Sequence, residues 1–201
     1  MIKLPNVTLV AITGLNYQTE EHKQAIAYSC LGIEFGEVKL IQLEQIKDID
    51  TWNHAVIYEL PKYIKTEFCL LIHADGYIIH PNMWTNRWLK YSYVGAPWPL
   101  PKDNFSYRDE RGGLVRVGNS VSLRSKKLMD LTAQIPEEKF WAIKERFGNT
   151  NEDGFICSHN RLYLEEQGCK FAPLQVAKYF SKEHEIEENK NIKKTFCFHK
   201  V

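Results

Sequence analysis

An apolar run, Phe68-Cys69-Leu70-Leu71-Ile72, stops at His73, and Asp75-Gly76 follows at once. An apolar run this short, ended by a glycine, reads as a buried central strand. Side chains alternate along a strand, so His73 and Asp75 point the same way. In open α/β sheets, ligands sit beyond the carboxyl ends of the strands. A carboxylate placed there, two residues from an imidazole, suits a divalent cation. An Asp before a Gly also forms turns, so on this stretch alone both readings stand. Thr13-Gly14, at the end of the first apolar segment, is a second place where backbone approaches a ligand closely. It is not a GxGxxG fingerprint, which argues against a Rossmann dinucleotide site.

Several elements must position these residues. NVTLVAIT (6–13) reads as a strand, 17–31 as a helix with Ala25, Ile26, Tyr28 and Leu31 at near-helical spacing, and EVKLIQL (37–43) as the next strand. Strand, helix and strand at this spacing predict a parallel βαβ unit. Residues 51–65 predict a helix with Thr51 as N-cap and Pro61 as a kink or end. After the central strand, Pro81 opens a short helix carrying Trp84 and Trp88 on one face, and 93–98 reads as a strand. Residues 99–116 are rich in Pro, Gly and charge and predict a long loop. Its arginines, Arg108, Arg111 and Arg116, suit a solvated surface and also an anion clamp.

Order returns with a short strand at 120–123, an N-cap at Ser125 and an amphipathic helix over 137–147. Glu152 and Asp153 precede a helix whose Phe155, His159 and Leu162 share one face. Acids in a first turn serve capping and dipole compensation, and His159 reads as a core histidine. Residues 170–181 read as strand-like, 182–194 as a charged surface segment, and TFCFHKV as a short closing strand that presents His199 and Lys200.

The 201 residues are 44% hydrophobic and 25% charged, enough for one α/β domain over 1–201 with a proper core. A net charge of +1 supplies no field to attract nucleic acid. No apolar run approaches the roughly 20 residues that span a bilayer, and the N-terminus lacks a signal-peptide layout. Five cysteines without metal spacing, three inside apolar segments, point to a reducing compartment. Together these features predict a cytoplasmic protein. The chain ends directly after His199-Lys200-Val201, which is also compatible with the N-terminal module of a longer enzyme.

Six segments, in order, carry a resemblance: HADGY (73–77), Pro81 through Trp84, YSYVGAPW (91–98), GNSVSLRS (118–125), Glu152-Asp153 and FCFHK (196–200). The set resembles a family of bacterial and viral glycosyltransferase-like domains, formally of unknown function, and is similar to the broader GT-A nucleotide-sugar transferases. It covers nearly the whole chain. Two positions depart from the pattern. His73 stands where the family has Gln and the DxD motif has Asp, and Ser120-Val121 replaces a Gly-Gly pair, which implies a narrower pocket.

The resemblance implies a GT-A-like fold with a mainly parallel central sheet flanked by helices and a Rossmann-like nucleotide-binding half. It implies a metal-dependent glycosyltransferase that moves a sugar from a nucleoside-diphosphate donor, UDP in type, to a glycan or glycoprotein acceptor. Mn2+ or Mg2+ would be held by Asp75 and His199. Thr13, Gly14, His73 and Lys200 would contact the donor, and Trp98, Gly118, Asn119 and Glu152 the substrate. Sugar transfer from a nucleoside diphosphate must stabilise a leaving group that gains negative charge, and a cation on the diphosphate does so as a Lewis acid. An inverting reaction also needs a base on the acceptor hydroxyl, and Asp153 is the candidate. Two other activities fit the same residues: a nucleotide-sugar-binding module with impaired catalysis, favoured by the departures at His73 and Ser120-Val121, and a metal-dependent nucleotide-sugar hydrolase.

Overall fold

Val7 to Gly14 are buried without interruption, as a strand flanked on both sides requires. In the computed structural model, which describes residues 1–200, this segment is the second half of β1 (Ile2–Gly14). β1 lies between β2 (Ile33–Leu43) and β3 (Phe68–Leu71), and both of its ladders are parallel. β2 is an edge strand, and its burial alternates accordingly. α1 (Thr19–Ser29) makes the crossover from β1 to β2 as the spacing predicts.

The sheet order is β2-β1-β3-β5-β4, with β4 at Tyr93–Pro97 and β5 at Val117–Ser125. β5 runs antiparallel to both of its neighbours. The sheet is therefore mixed, with two parallel and two antiparallel ladders, and the expectation of a mainly parallel sheet is corrected. The cause is the long segment after β4. It contains no crossover helix, so the chain returns in the reverse direction and β5 inserts between β3 and β4.

Helices cover the sheet. α2 (Ile49–Tyr58) and α3 (Leu60–Tyr63) divide the predicted single helix at Glu59, and Pro61 sits in the first turn of α3. The N-cap is Asp48 rather than Thr51. Asp48 accepts from the Thr51 amide at 2.8 Å while the Thr51 hydroxyl accepts from the Asp48 amide at 3.0 Å, a capping box. 3-10 turns at Pro81–Met83 and Asn86–Lys90 place Trp84 and Trp88 against Phe196. α4 (Lys126–Ala133) is capped by Ser125, and α5 (Glu137–Phe147) ends at Gly148 in a left-handed conformation.

Two further expectations change. The helix after Glu152 is broken into α6 (Glu152–Gly154), a π turn at Phe155–His159 and α7 (Arg161–Glu166). Residues 170–181 are not a strand. Phe171 and Ala172 run alongside Tyr93, and Pro173 then caps α8 (Leu174–Phe180). The chain closes in a small parallel sheet of β6 (Ser181–Lys182) and β7 (Cys197–Phe198). Among the described residues no helix is long and apolar enough to cross a membrane.

Candidate functional site

The carboxyl end of β3 delivers its polar residues through a tight turn, in which the His73 amide donates to the Gly76 carbonyl at 2.7 Å. Gly76 has a packing reason. A Cβ there would lie 2.6 Å from both His199 Cδ2 and Val121 Cγ2. The bare backbone lets the His199 ring settle over the turn. The His73 and His199 rings are 5.0 Å apart, and His199 Nε2 lies 3.6 Å from Asp75 Oδ1. His73, Asp75 and His199 each offer a ligand atom within 4.8 Å of the others'.

A cation fits this cluster. His73 Nε2 is buried without a hydrogen-bond partner among the described residues, which is costly unless a ligand completes it. Burial, aided by the charges of His199, His22 and Arg124, holds the His73 imidazole well below its ordinary range. It is neutral, the form that ligates metal. Burial also pulls His199 down, but its hydrogen bond to Glu183 and the charges of Glu183, Asp75 and Asp153 outweigh that and raise it.

Two clefts adjoin beside the cluster, one holding it and the other reaching no further than Asn151, Asp153 and Glu183. The first, of about 740 Å³, runs from the end of β1 past the N-terminus of α2 to His73, Asp75 and His199. Thr13 and Gly14 line it, as the sequence predicts, beside Trp52, whose indole N–H donates to the Ile12 carbonyl at 2.9 Å. The second cleft, of about 550 Å³, lies under the long loop, with Trp98 in its wall. Asn151, Asp153 and Glu183 line both.

Asp153 is held by two backbone donors. The Asn119 amide reaches Oδ2 at 2.8 Å, and the Gly154 amide reaches Oδ1 at 2.7 Å. Each oxygen keeps a further lone pair. Burial first, and the neighbouring Glu152 carboxylate second, push its carboxyl up to about 7, against the pull of those two hydrogen bonds. Asn119 adopts φ 83°, unusual for a side-chain-bearing residue. Its Oδ1 accepts from the Val121 amide at 2.8 Å, and its Nδ2 lies 3.3 Å from His199 Nδ1. It ties the base candidate to the cation cluster.

The remaining predicted residues sit elsewhere. Gly118 lines neither cleft. It lies beneath Trp98, whose indole occupies the space a Cβ would need. Glu152 is fully buried, and its Oε2 accepts from Arg124 at 2.8 Å, so it supports the sheet from behind. The Lys200 side chain is exposed and lines neither cleft, while its amide donates to the Asp75 carbonyl at 3.0 Å. His159, read as a core histidine, lines the second cleft.

Sequence reasoning missed Glu183. It sits just past β6, and its Oε1 is 3.1 Å from His199 Nδ1. Burial pushes its carboxyl up, but hydrogen bonds from His199 and Asn119 and the charge of His199 bring it below the usual range. The one available signal was a histidine, His184, standing beside it in an acid-rich run.

A mixed α/β sheet with two adjoining clefts and a His/Asp/His cluster at one end of its strands defines the class of molecule. The chain belongs to the family described as "Protein of unknown function (DUF5672)", whose model matches residues 37–199. Comparison with curated proteins and with solved structures gives no match.

Proposed function

We propose that this domain is a cation-dependent glycosyltransferase that moves a sugar from a nucleoside diphosphate sugar to a glycan or glycoprotein hydroxyl. The observation that carries the reading is the position of Asp153. Its carboxyl, pushed up to about 7, stands where the cleft holding the cation cluster opens into a second cleft. A base poised near neutral pH between two binding spaces suits proton transfer between two substrates. The uridine type of the donor rests on the motif resemblance; the cleft residues themselves call only for a nucleotide.

His73, Asp75 and His199 would hold the cation, and a bound Mn2+ or Mg2+ would supply Lewis-acid stabilisation of the departing diphosphate. Two imidazoles and one carboxylate favour Mn2+ over the harder Mg2+. Thr13, Gly14 and Trp52 line the space for the nucleoside. In an inverting transfer, the acceptor oxygen forms the new bond to the anomeric carbon and its proton passes to Asp153. The old carbon–oxygen bond breaks, and its electron pair leaves with the diphosphate. The Asn119 and Gly154 amides keep the carboxylate oriented throughout.

The test is a nucleotide-sugar screen by thermal shift with Mn2+ present, since a ligand that binds only the folded protein raises its melting temperature. Turnover with and without acceptors follows. The reading expects UDP with Mn2+ to stabilise the protein, Asp75→Ala to abolish that effect, and product to require an acceptor. Free sugar released regardless of acceptor makes the domain a hydrolase, and donor binding without turnover makes it a binding module. If no nucleoside diphosphate stabilises it, the reading fails.

A further inference from the structure

Nothing above explains the rings around the second cleft. Phe105 and Phe147 line it, yet they are 68% and 42% exposed. Large apolar side chains gathered at the mouth of a cleft mark a binding surface more often than they mark chance. Their arrangement is regular. Phe105 and Phe147 are 6.5 Å apart and 17° from parallel, and Phe147 and His159 are 5.5 Å apart and 29° from parallel. Behind them Trp98 stacks on Tyr107 at 4.8 Å.

Polar groups stand among the rings with capacity to spare. Among the described residues, the side chains of Asn149, Asn151 and Ser158 make no hydrogen bond, although all three line the cleft. The charged lining disfavours an anion. Asp103 and Glu183 stand against one arginine, Arg108, and Asp153 adds negative charge as pH rises through about 7. Arg108 is oriented by the Asn104 and Gly112 carbonyls, which accept from it at 2.9 and 3.1 Å. The walls are loops and helix ends, without the free strand edge that an extended peptide would pair with. Flat apolar faces alternating with hydroxyls, and no negative charge, describe one ligand class well.

We propose that the second cleft binds a neutral oligosaccharide of two or more sugar residues, whose apolar faces pack on the exposed sides of Phe105 and Phe147. Phe105 and Phe147, 6.5 Å apart, each offer a contact of their own, so two sugar residues are the smallest ligand that engages both. That the end at Asp153 is the reacting end rests on the glycosyltransferase reading; the carbohydrate site does not.

The experiment titrates neutral cello-, chito-, manno- and galacto-oligosaccharides, from mono- to tetrasaccharide, into the full chain without nucleotide. Binding is read by saturation-transfer NMR and calorimetry. At least one series should bind, with affinity rising from monosaccharide to disaccharide. Phe105→Ala and Phe147→Ala, at exposed positions that leave the fold intact, should each weaken binding about threefold to tenfold, in line with aromatic contact energies. Asp75→Ala should leave it unchanged. The proposal is overturned if no series binds, if the phenylalanine variants bind as wild type, or if an acidic oligosaccharide or a Ser/Thr-rich peptide outcompetes the neutral sugars. Saccharide binding without any nucleotide effect would keep this site and remove the transferase reading. Nucleotide-dependent turnover without saccharide binding would do the reverse.

Discussion

Asp153 carries two separable consequences of one raised carboxyl. As a base it works only when deprotonated, so the transfer rate should climb as pH rises through about 7 and then level off. Asp153→Asn should slow transfer by at least about a hundredfold, remove that rise, and leave donor and cation binding intact. Stability moves the other way. The folded protein keeps a proton that the unfolded chain surrenders near 3.8, so the residue's contribution to stability is full below that value and is lost as pH rises toward about 7. Chemical denaturation across that window should show wild type losing stability relative to Asp153→Asn as pH rises from about 3.8 to about 7. Glu183 acts one step removed, by accepting from His199 Nδ1 and turning Nε2 toward Asp75. Glu183→Gln should therefore weaken Mn2+ binding about tenfold to a hundredfold, read by calorimetry, with little change in the fold.

At the scale of elements, the site depends on a turn and a two-residue sheet. Gly76→Ala would drive a methyl into His199 and Val121. Misplacing a site group by about 1 Å can cost a hundredfold. The variant should keep its far-UV spectrum and lose the Mn2+ response and most activity. This turn was legible in sequence because an apolar run ended abruptly in His73, Asp75 and Gly76. Asp153 was also legible, as an acid at a helix start. Glu183 was not, because its carboxylate is chemically ordinary within a run of charges and only the pairing of β6 with β7 brings it to His199. Periodicity failed at 170–181 for a different reason. Phe171 and Ala172 do lie beside β4, and the helix begins only after Pro173, so two short structures share one apolar pattern. The reversed β5 was hidden because strand direction is set by the returning loop rather than by the strand's own residues.

For the whole molecule, a buried ion pair links the back of the sheet to the site. Arg124 on β5 and Glu152 beside Asp153 are 1% and 0% exposed. Removing one partner strands the other charge in the interior, so Arg124→Met should cost about 3–5 kcal/mol of unfolding free energy, measured by urea titration. The double variant Arg124→Met with Glu152→Leu should recover much of it. Glu152 was read from the motif as a substrate contact, and burial assigns it this supporting place instead. The small β6–β7 sheet has a consequence for how the molecule is made. Asp75 emerges before Glu183 and His199, whose segments are brought together by that late pairing. A nascent chain that has already built β1 to β5 still has an incomplete cluster until the residues around His199 have left the ribosome. Cation uptake at His73, Asp75 and His199 would then follow the building of the five-stranded sheet, and a chain stalled before His199 would have that sheet without a complete cluster.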